Sequence, residues 1–370
     1  MKKLFFLFLG WFIVVNLFAL IGANRLNLVP DTAYTWINPE DTQQEQTWNP
    51  IQLHAKWDSF WYLDIAENGY SYKGQGELSN IVFFPLYPFL MKTLSFAMGG
   101  NLVLAGWVIS ALSLFLALLY LFRLIREFHP QIDPYLPVLL LLIFPTAFFL
   151  NAVYTESLFL FLSIASLYYV FKGKYGMAGV FGALAALTRV TGILLIVPFA
   201  WEYYKRHGLS ARTLFQRRTL ALAAIPTATL SFFLFHWFRF GDPFLFLRVE
   251  KTWGRAFTLN QDHFVFLSHP ALANFLLDVL FAVFALAATW FVFRRLRVSY
   301  GLYMLATLAV AIGTGTLMSV GRYILVLFPI FILGALLMKT HDLVRYGWIF
   351  VSLLLFALYT ILFTSYYWSG

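Results

Sequence analysis

The fold is decided first by the apolar run LFFLFLGWFIVVNLFALI (residues 4–21), which follows Met1 and the basic pair Lys2-Lys3. Its length approaches the ~20 residues that an α-helix needs to cross about 30 Å of hydrocarbon. A cleaved secretory signal is the alternative, but this run is long for one and has no clean small-x-small cleavage site before the polar loop. We therefore predict that residues 4–22 form a first transmembrane helix.

The rest of the chain has the same character. Hydrophobic residues make up 61% of the 370 residues, charged residues make up 12%, and the mean hydropathy is +0.75. A water-soluble domain of this size could not bury so much apolar surface, so the bilayer must be its solvent. Because a spanning segment has to satisfy its own backbone hydrogen bonds, we predict an all-α bundle. Residues 1–370 are predicted to form one membrane domain.

Apolar stretches predict nine full spans. Segment 175–201 lies between two basic clusters and is apolar over only about 25 residues, so we predict two short helices that enter the membrane and return. A single crossing there would place a basic cluster on the wrong side. The nine spans are predicted at 4–22, 101–122, 135–150, 156–171, 219–238, 271–293, 300–319, 322–338 and 345–364.

Basic residues are clustered between the apolar runs. By the positive-inside rule these clusters mark the cytoplasmic side, so the formal net charge of +9 reflects membrane orientation and not nucleic-acid binding. The outer face then receives the long loop 23–100, the turn 151–155, the loop 240–270 and the turn around Gly321. The sequence has no cysteine, which excludes disulfides and thiolate chemistry.

The first outer loop carries the sharpest cluster of polar and aromatic residues, KWDSFWYLDIAENGY (56–70). On a helix, Trp57, Trp61 and Asp64 share one face, whereas Asp58 points elsewhere. A carboxylate at the start of a helix, beneath aromatic side chains, is well placed to act as a general base. Asp58 is therefore the candidate base. The alternative is an N-capping or interfacial aspartate beside the tryptophans of an aromatic belt.

Three charged residues are predicted at or near membrane depth. Glu156 opens a span from the outer side, where the first helical turn favours an anion, so it is either a plain first-turn residue or a substrate ligand. Arg189 interrupts an apolar run within TRVTG (188–192), and Arg322 follows Gly321. Such a charge costs about 2.5–3.5 kcal/mol on insertion scales, and arginine matches a phosphate bidentately. Snorkelling to the headgroups is the alternative for Arg322.

The outer loop 240–270 begins with a Gly-Asp-Pro turn at 241–243. Its aromatic residues either stack on a sugar or lie in the membrane interface, and Asp242 is a candidate substrate ligand. No metal site is predicted, and dependence on a divalent ion stays open. The histidines considered lack metal-ligand spacing, namely His54, His236 and His263.

Six groups of motifs follow one another between residues 50 and 330, approximately. They are Trp57-Asp58 with IAENGY (65–70), FFPLYP (83–88), FP (144–145) with YTES (154–157), TRVTG (188–192), the turn 241–243 with Trp253, and Arg322-Tyr323 with Pro329. In this order they resemble the GPI mannosyltransferase 2 (PIG-V) family of the C-type glycosyltransferase superfamily, and specifically its shorter bacterial relatives. TRVTG departs from the family, where Arg is more often followed by Asn-Gly or a Pro-type residue.

The resemblance implies transfer of an α-mannosyl residue from dolichyl-phosphate mannose or a bacterial polyprenyl-phosphate sugar. It also implies an aspartate of the first outer loop as the catalytic base, and Asp58 is the matching position. The predicted partners are this lipid donor, a glycan, glycolipid or protein acceptor, and membrane lipid. Chain length and motif divergence favour a bacterial plasma membrane, with the endoplasmic reticulum as the alternative.

The hypothesis is one inverting displacement at the extracytoplasmic face. Asp58 takes the proton of an acceptor hydroxyl, and Arg322 and Arg189 stabilise the departing lipid phosphate. The predicted substrate-binding residues are Trp57, Asp64, Glu156, Asp242 and Tyr323.

Two other functions are compatible with parts of the pattern. A lipid-linked sugar transporter or flippase also needs buried charge and broken helices, but commonly has mirrored halves with a site at the midplane. Here the candidate carboxylates lie mostly at one face, and no internal repeat is visible, which favours an enzyme. A structural subunit would need the interfacial aromatic residues but not Asp58.

Overall fold

The computed structural model describes residues 1–25, 50–208, 217–255 and 272–367, and every regular element in these residues is a helix. Parts of the predicted outer loops 23–100 and 240–270, and His263, lie outside the described residues. The α-helices are α1 (Lys2–Arg25), α2 (Ser59–Asn68), α3 (Leu86–Ser95), α4 (Leu102–Phe128), α5 (Tyr135–Leu142), α6 (Glu156–Phe171), α7 (Tyr175–Ala186), α8 (Ile196–His207), α9 (Arg217–Phe240), α10 (Leu245–Thr252), α11 (Leu272–Arg295), α12 (Val298–Gly313), α13 (Val320–Leu325), α14 (Pro329–Met338) and α15 (Asp342–Thr364).

Five helices of the described residues are long and apolar enough to cross a membrane. Shorter apolar helices, α6, α7, α12 and α14, accompany them. The prediction of an all-helical integral membrane protein is therefore confirmed, whereas nine separate crossings stay a prediction. The five long segments are Lys2–Asn24, Leu102–Phe128, Thr219–Phe240, Phe275–Arg295 and Asp342–Thr364.

Two predicted spans are interrupted, so their assignment as single helices was wrong. In span 135–150, α5 ends at Leu142 and a 3-10 helix, Ala147–Asn151, follows. Pro145 lies between them and has no N–H to continue a helix. Span 322–338 is divided into α13 and α14, and Pro329 occupies the first turn of α14, where a missing N–H costs nothing.

The predicted broken pair at 175–201 is confirmed as two short helices, α7 and α8. Between them lie the extended residue Arg189 and a 3-10 helix, Val190–Leu195. Gly192 allows this tight return, because a Cβ atom there would lie 2.3 Å from the carbonyl oxygen of Ala185. The break therefore presents Arg189 at the end of α7.

Helix packing brings residues 50–100 onto the bundle. α4 packs on α6, α6 on α7 and α7 on α9, while α2 and α3 rest on α4. The hydroxyl of Tyr87 in α3 donates to the carbonyl of Gly106 in α4 at 2.9 Å. The backbone N–H of Val153 donates to the carbonyl of His54 at 2.8 Å. The stretch before α2 is thereby held against the start of α6.

Candidate active site

A cleft of about 120 Å³ opens among five segments of the described chain. These segments are the start of α2, residues 82–84, the break between α7 and α8, the end of α10, and the turn into α13. Five of the eight predicted site residues line the cleft, and these are Trp57, Asp58, Arg189, Arg322 and Tyr323. Residues far apart in sequence therefore meet in one place.

Asp58 lies at the N-cap position of α2, but its side chain makes no capping hydrogen bond. Instead, Oδ2 accepts a hydrogen bond from Nη1 of Arg322 at 2.6 Å. The backbone N–H of Asp58 donates to the hydroxyl of Tyr154 at 3.2 Å. With 17% of its side chain exposed, Asp58 reaches the cleft. The N-capping alternative is therefore wrong.

Glu156 is the first residue of α6 and its side chain is completely buried, at 0% exposure. Its Oε1 accepts from Nε of Arg322 at 2.9 Å and from Nη1 of Arg189 at 2.7 Å. Its Oε2 has no hydrogen-bond partner among the described residues. Since a buried charge must be paired, Glu156 and the two arginines depend on one another. Glu156 contacts arginines and not the cleft.

Aromatic rings surround the two arginines that share Glu156. The guanidinium carbon of Arg322 lies 4.7 Å from the ring centroid of Tyr154, and that of Arg189 lies 5.3 Å from the ring centroid of Tyr323. These distances fall within the range of cation–π attraction. The rings thus supply part of the stabilisation that water would give an exposed arginine.

The backbone is strained at two positions of the cleft. Trp57 has φ +52° and Ser319 has φ +65°, although neither residue is glycine. Such conformations cost about 1–3 kcal/mol each and are concentrated at functional sites. Trp57 immediately precedes Asp58, and Ser319 lies one turn before Arg322. The strain therefore lies in the two segments that position the ion pair between Asp58 and Arg322.

Besides Glu156, two predicted site residues lie outside the cleft lining. Asp64 accepts hydrogen bonds from Nδ2 of Asn68 at 2.9 Å and from Nδ2 of Asn80 at 2.7 Å. Asp242 accepts from the backbone N–H of Phe244 at 2.9 Å, which closes its own turn. Both carboxylates thus stabilise local loop structure. Their role in substrate binding stays a prediction.

Arg255 is a cleft residue that sequence reasoning did not single out. Its Nη1 donates to the hydroxyl of Tyr323 at 2.6 Å, and its Nε lies 4.0 Å from Oε2 of Glu250. Nearby, the rings of Trp253 and Trp61 meet edge to face at 5.3 Å. The available signal was a basic residue close to a tryptophan in a predicted outer loop.

Two basic residues just before Asp58 are buried away from the cleft lining. Burial lowers the pKa of Lys56 to about 7, and its Nζ lies 3.7 Å from the ring centroid of Tyr366. Burial also lowers the pKa of His54 to about 3, and its ring stacks on Trp107 at 5.4 Å. In the described part of the chain, no group of three His, Cys, Asp or Glu residues is arranged to hold a metal.

The architecture is similar to that of a protein of known structure. ArnT from Cupriavidus metallidurans, solved bound to undecaprenyl phosphate, matches with a TM-score of 0.54 and 12% identity, over 97% of this chain and 76% of ArnT. The apo oligosaccharyltransferase of Archaeoglobus fulgidus matches with a TM-score of 0.48 and 14% identity, over 98% of this chain and 56% of that protein. The likeness to ArnT shows that the two chains share a fold.

Comparison of the amino-acid sequence identifies the family of the chain. The model of the Mannosyltransferase (PIG-V) family matches residues 11–247, so the chain belongs to this family, as its motifs predicted. GPI mannosyltransferase 2 of Yarrowia lipolytica is 29% identical over 150 residues, which cover 40% of this chain and 39% of that relative. The family match ends before Arg255 and Arg322, so it does not cover these two residues of the cleft.

Proposed function

We propose that the chain transfers a mannosyl or similar hexosyl residue from a polyprenyl- or dolichyl-phosphate sugar to an acceptor hydroxyl at the extracytoplasmic face. Membership of a mannosyltransferase family supports the reaction class. The ArnT structure, with undecaprenyl phosphate bound, supports a lipid-phosphate donor. The acceptor in this proposal is a glycan, glycolipid or protein, and the membrane is a bacterial plasma membrane, or the endoplasmic reticulum for a eukaryotic source.

One observation carries the proposal. Of the two carboxylates that bind Arg322, Glu156 is completely buried, whereas Asp58 has 17% of its side chain exposed and lines the cleft. Asp58 is therefore the carboxylate of this network that an acceptor hydroxyl can reach. A carboxylate within reach of the acceptor hydroxyl is the kind of group that acts as a general base.

The reaction would proceed as a single inverting displacement. Asp58 accepts the proton of the acceptor hydroxyl while that oxygen bonds to the anomeric carbon, and the bond from this carbon to the phosphate oxygen breaks. The electron pair leaves on the lipid phosphate. Arg322 and Arg189 then stabilise the negative charge that develops there. The tryptophans at 61 and 253 form an aromatic wall against which the apolar face of a sugar can pack.

The comparisons lend no support to the alternative of a transporter or flippase. The matching family model is that of a mannosyltransferase, and the curated relative has the same activity in its name. No contact in the described residues favours transport over transfer.

The proposal is tested by transfer of labelled mannose from synthetic polyprenyl-phosphate mannose, using membranes that contain wild type, Asp58→Asn or no protein. Loss of a general base lowers the rate by about 10²–10⁴-fold, so Asp58→Asn should lose most transfer. Glu67→Gln is the matched control, because Glu67 is an exposed acid of the same helix, and it should change transfer by less than about twofold. Both variants must be inserted at wild-type level.

Two results would contradict the proposal. Full transfer by Asp58→Asn would exclude Asp58 as the base. Absence of transfer by wild type with every polyprenyl- or dolichyl-phosphate hexose would exclude the proposed donor class.

A further inference from the structure

Three arginines meet at the cleft, but carboxylates compensate their charges to different degrees. Arg322 makes ion pairs of 2.6 and 2.9 Å, and Arg189 makes one of 2.7 Å. Arg255 lies 4.0 Å from its nearest carboxylate among the described residues, that of Glu250. Since 4.0 Å exceeds hydrogen-bond distance, the charge of Arg255 is the least compensated of the three.

The hydrogen bond that Arg255 does make can be exchanged. Its Nη1 donates to the hydroxyl of Tyr323, a neutral acceptor, at 2.6 Å. A phosphate oxygen carries charge and is the stronger acceptor for a guanidinium, so the exchange is favourable. A phosphate that bound Arg322 or Arg189 first would instead compete with a buried carboxylate, which is costly to displace.

The surroundings of Arg255 favour the same exchange. Burial raises the pKa of Glu250, which favours its neutral form and further reduces the negative charge beside Arg255. Both side chains keep some exposure, 17% for Arg255 and 22% for Glu250, and both line the cleft. An anion that enters the cleft can therefore reach Arg255 directly.

Tyr323 places Arg255 beside the ion-pair network that joins Asp58, Glu156, Arg189 and Arg322. The guanidinium carbons of Arg255 and Arg189 lie 5.5 and 5.3 Å from its ring centroid, and Tyr323 follows Arg322 in sequence. A phosphate held by Arg255 is thus delivered next to the arginine that holds Asp58. The network itself need not open to admit it.

We propose that Arg255 binds the phosphate of the intact donor, while Arg322 keeps its bond to Asp58 until the sugar is transferred. When Asp58 accepts the acceptor proton it becomes neutral, and the departing phosphate gains a second negative charge. Arg322 then exchanges the neutral acid for the phosphate. This inference rests on the proposed function and assigns donor recognition to a residue other than the arginines predicted from the sequence.

The test is direct binding of undecaprenyl phosphate to the purified full-length chain in detergent, with undecaprenol as the uncharged control. A hydrogen bond between charged groups is worth about 10- to 100-fold in affinity, so Arg255→Gln should weaken binding of the phosphate by at least about tenfold. Binding of undecaprenol should not change. The matched control is Arg248→Gln, since Arg248 is 71% exposed and pairs with Asp242 at 3.1 Å. This variant should change the affinity for undecaprenyl phosphate by less than about twofold.

A second variant distinguishes recognition from a structural role. Tyr323→Phe removes the acceptor of Arg255 and leaves its charge in place, so binding of undecaprenyl phosphate should be as tight as in wild type or tighter. If the Arg255–Tyr323 hydrogen bond served only to hold the loop, Tyr323→Phe would weaken binding as much as Arg255→Gln. Weaker binding of undecaprenyl phosphate by Tyr323→Phe would overturn the inference, even if Arg255→Gln were too unstable to measure.

Kinetics provide an independent readout. Arg255→Gln should raise KM for the donor more than it lowers kcat, whereas Arg322→Lys should mainly lower kcat. The inference is wrong if Arg255→Gln binds undecaprenyl phosphate like wild type, or if Arg322→Lys loses more affinity than Arg255→Gln. Those results leave the proposed function standing, because that function fails only through the wild type or Asp58→Asn.

Discussion

Two aspartates of the same short segment, Asp58 and Asp64, belong to different kinds of structure. Asp58 is bonded to Arg322, which is 264 residues away, and Arg322 in turn to Glu156, 166 residues away. Asp64 is bonded to two neutral amides, of Asn68 and Asn80, only 4 and 16 residues away. One carboxylate thus joins a long-range ionic network, and the other closes a local polar loop.

The hydrogen bonds of Asp64 stabilise a loop, whereas the ion pair of Asp58 holds charged groups at the cleft. The local cluster uses neutral donors, and it can form whenever the first loop is folded. The long-range cluster needs α2, α6 and α13 to be packed together, and it keeps charges where burial is costly. A buried ionic network contributes little net stability compared with apolar packing, so its presence beside a cleft indicates function.

The largest effect expected outside the base itself is that of Glu156→Gln. It leaves Arg189 and Arg322 without their shared carboxylate, so the free energy of unfolding should fall by about 3–5 kcal/mol. Transfer should fall more than about tenfold, because both arginines lose their position. Chemical denaturation in detergent and the mannose transfer assay measure the two effects.

Glu127→Gln is the matched control for that variant. Glu127 pairs with Lys172 at 2.9 Å, but both side chains are more than a third exposed, so the loss should be below about 1 kcal/mol. Equal losses of stability in Glu127→Gln and Glu156→Gln would mean that burial does not distinguish the two pairs. The buried ion pairs of Glu156 would then contribute no more to stability than the exposed pair of Glu127.

Asp64→Asn should have an intermediate effect that is confined to stability. The new amide nitrogen faces Nδ2 of Asn68 or Asn80, so one hydrogen bond is lost at about 1–2 kcal/mol. Transfer per folded molecule should stay within about twofold of wild type. Thermal unfolding together with transfer normalised to folded protein checks this. A loss of transfer like that of Asp58→Asn would instead place Asp64 in the reaction.

The smallest effect, taken over one pH unit, is expected from Lys56. Its pKa is about 7 in the folded chain and near 10.4 when unfolded, so the unfolded state binds more protons between these values. Stability should therefore rise as pH increases from about 7 toward 10, by less than about 1.4 kcal/mol per pH unit. The ring of Tyr366 acts against the effect of burial, because it favours the charged amine.

Lys56→Met should abolish that rise, as measured by thermal unfolding at several pH values. Lys73→Met is the control, since Lys73 is an exposed lysine of the same loop and should leave the rise unchanged. A rise that persists in Lys56→Met would assign it to another group. The stretch before Asp58 would then not be held by a buried amine.

The sequence by itself determined the membrane class, five long apolar helices among the nine predicted spans, the broken pair at 175–201, the family, and Asp58 as the leading candidate base. These features depend on the length of apolar runs and on short motifs, which are local properties. In segment 135–150 the continuous apolar run predicted one helix, whereas Pro145 lies in a break between two shorter helices.

Only the tertiary structure decided which charged residues act together. It brought Glu156 beneath two arginines, separated Asp64 and Asp242 from the cleft lining, and added Arg255 to it. These outcomes depend on how helices pack against one another across intervals of many residues, and no local pattern records that packing. A sequence can indicate that a buried charge needs a partner, but the partner is chosen by the fold.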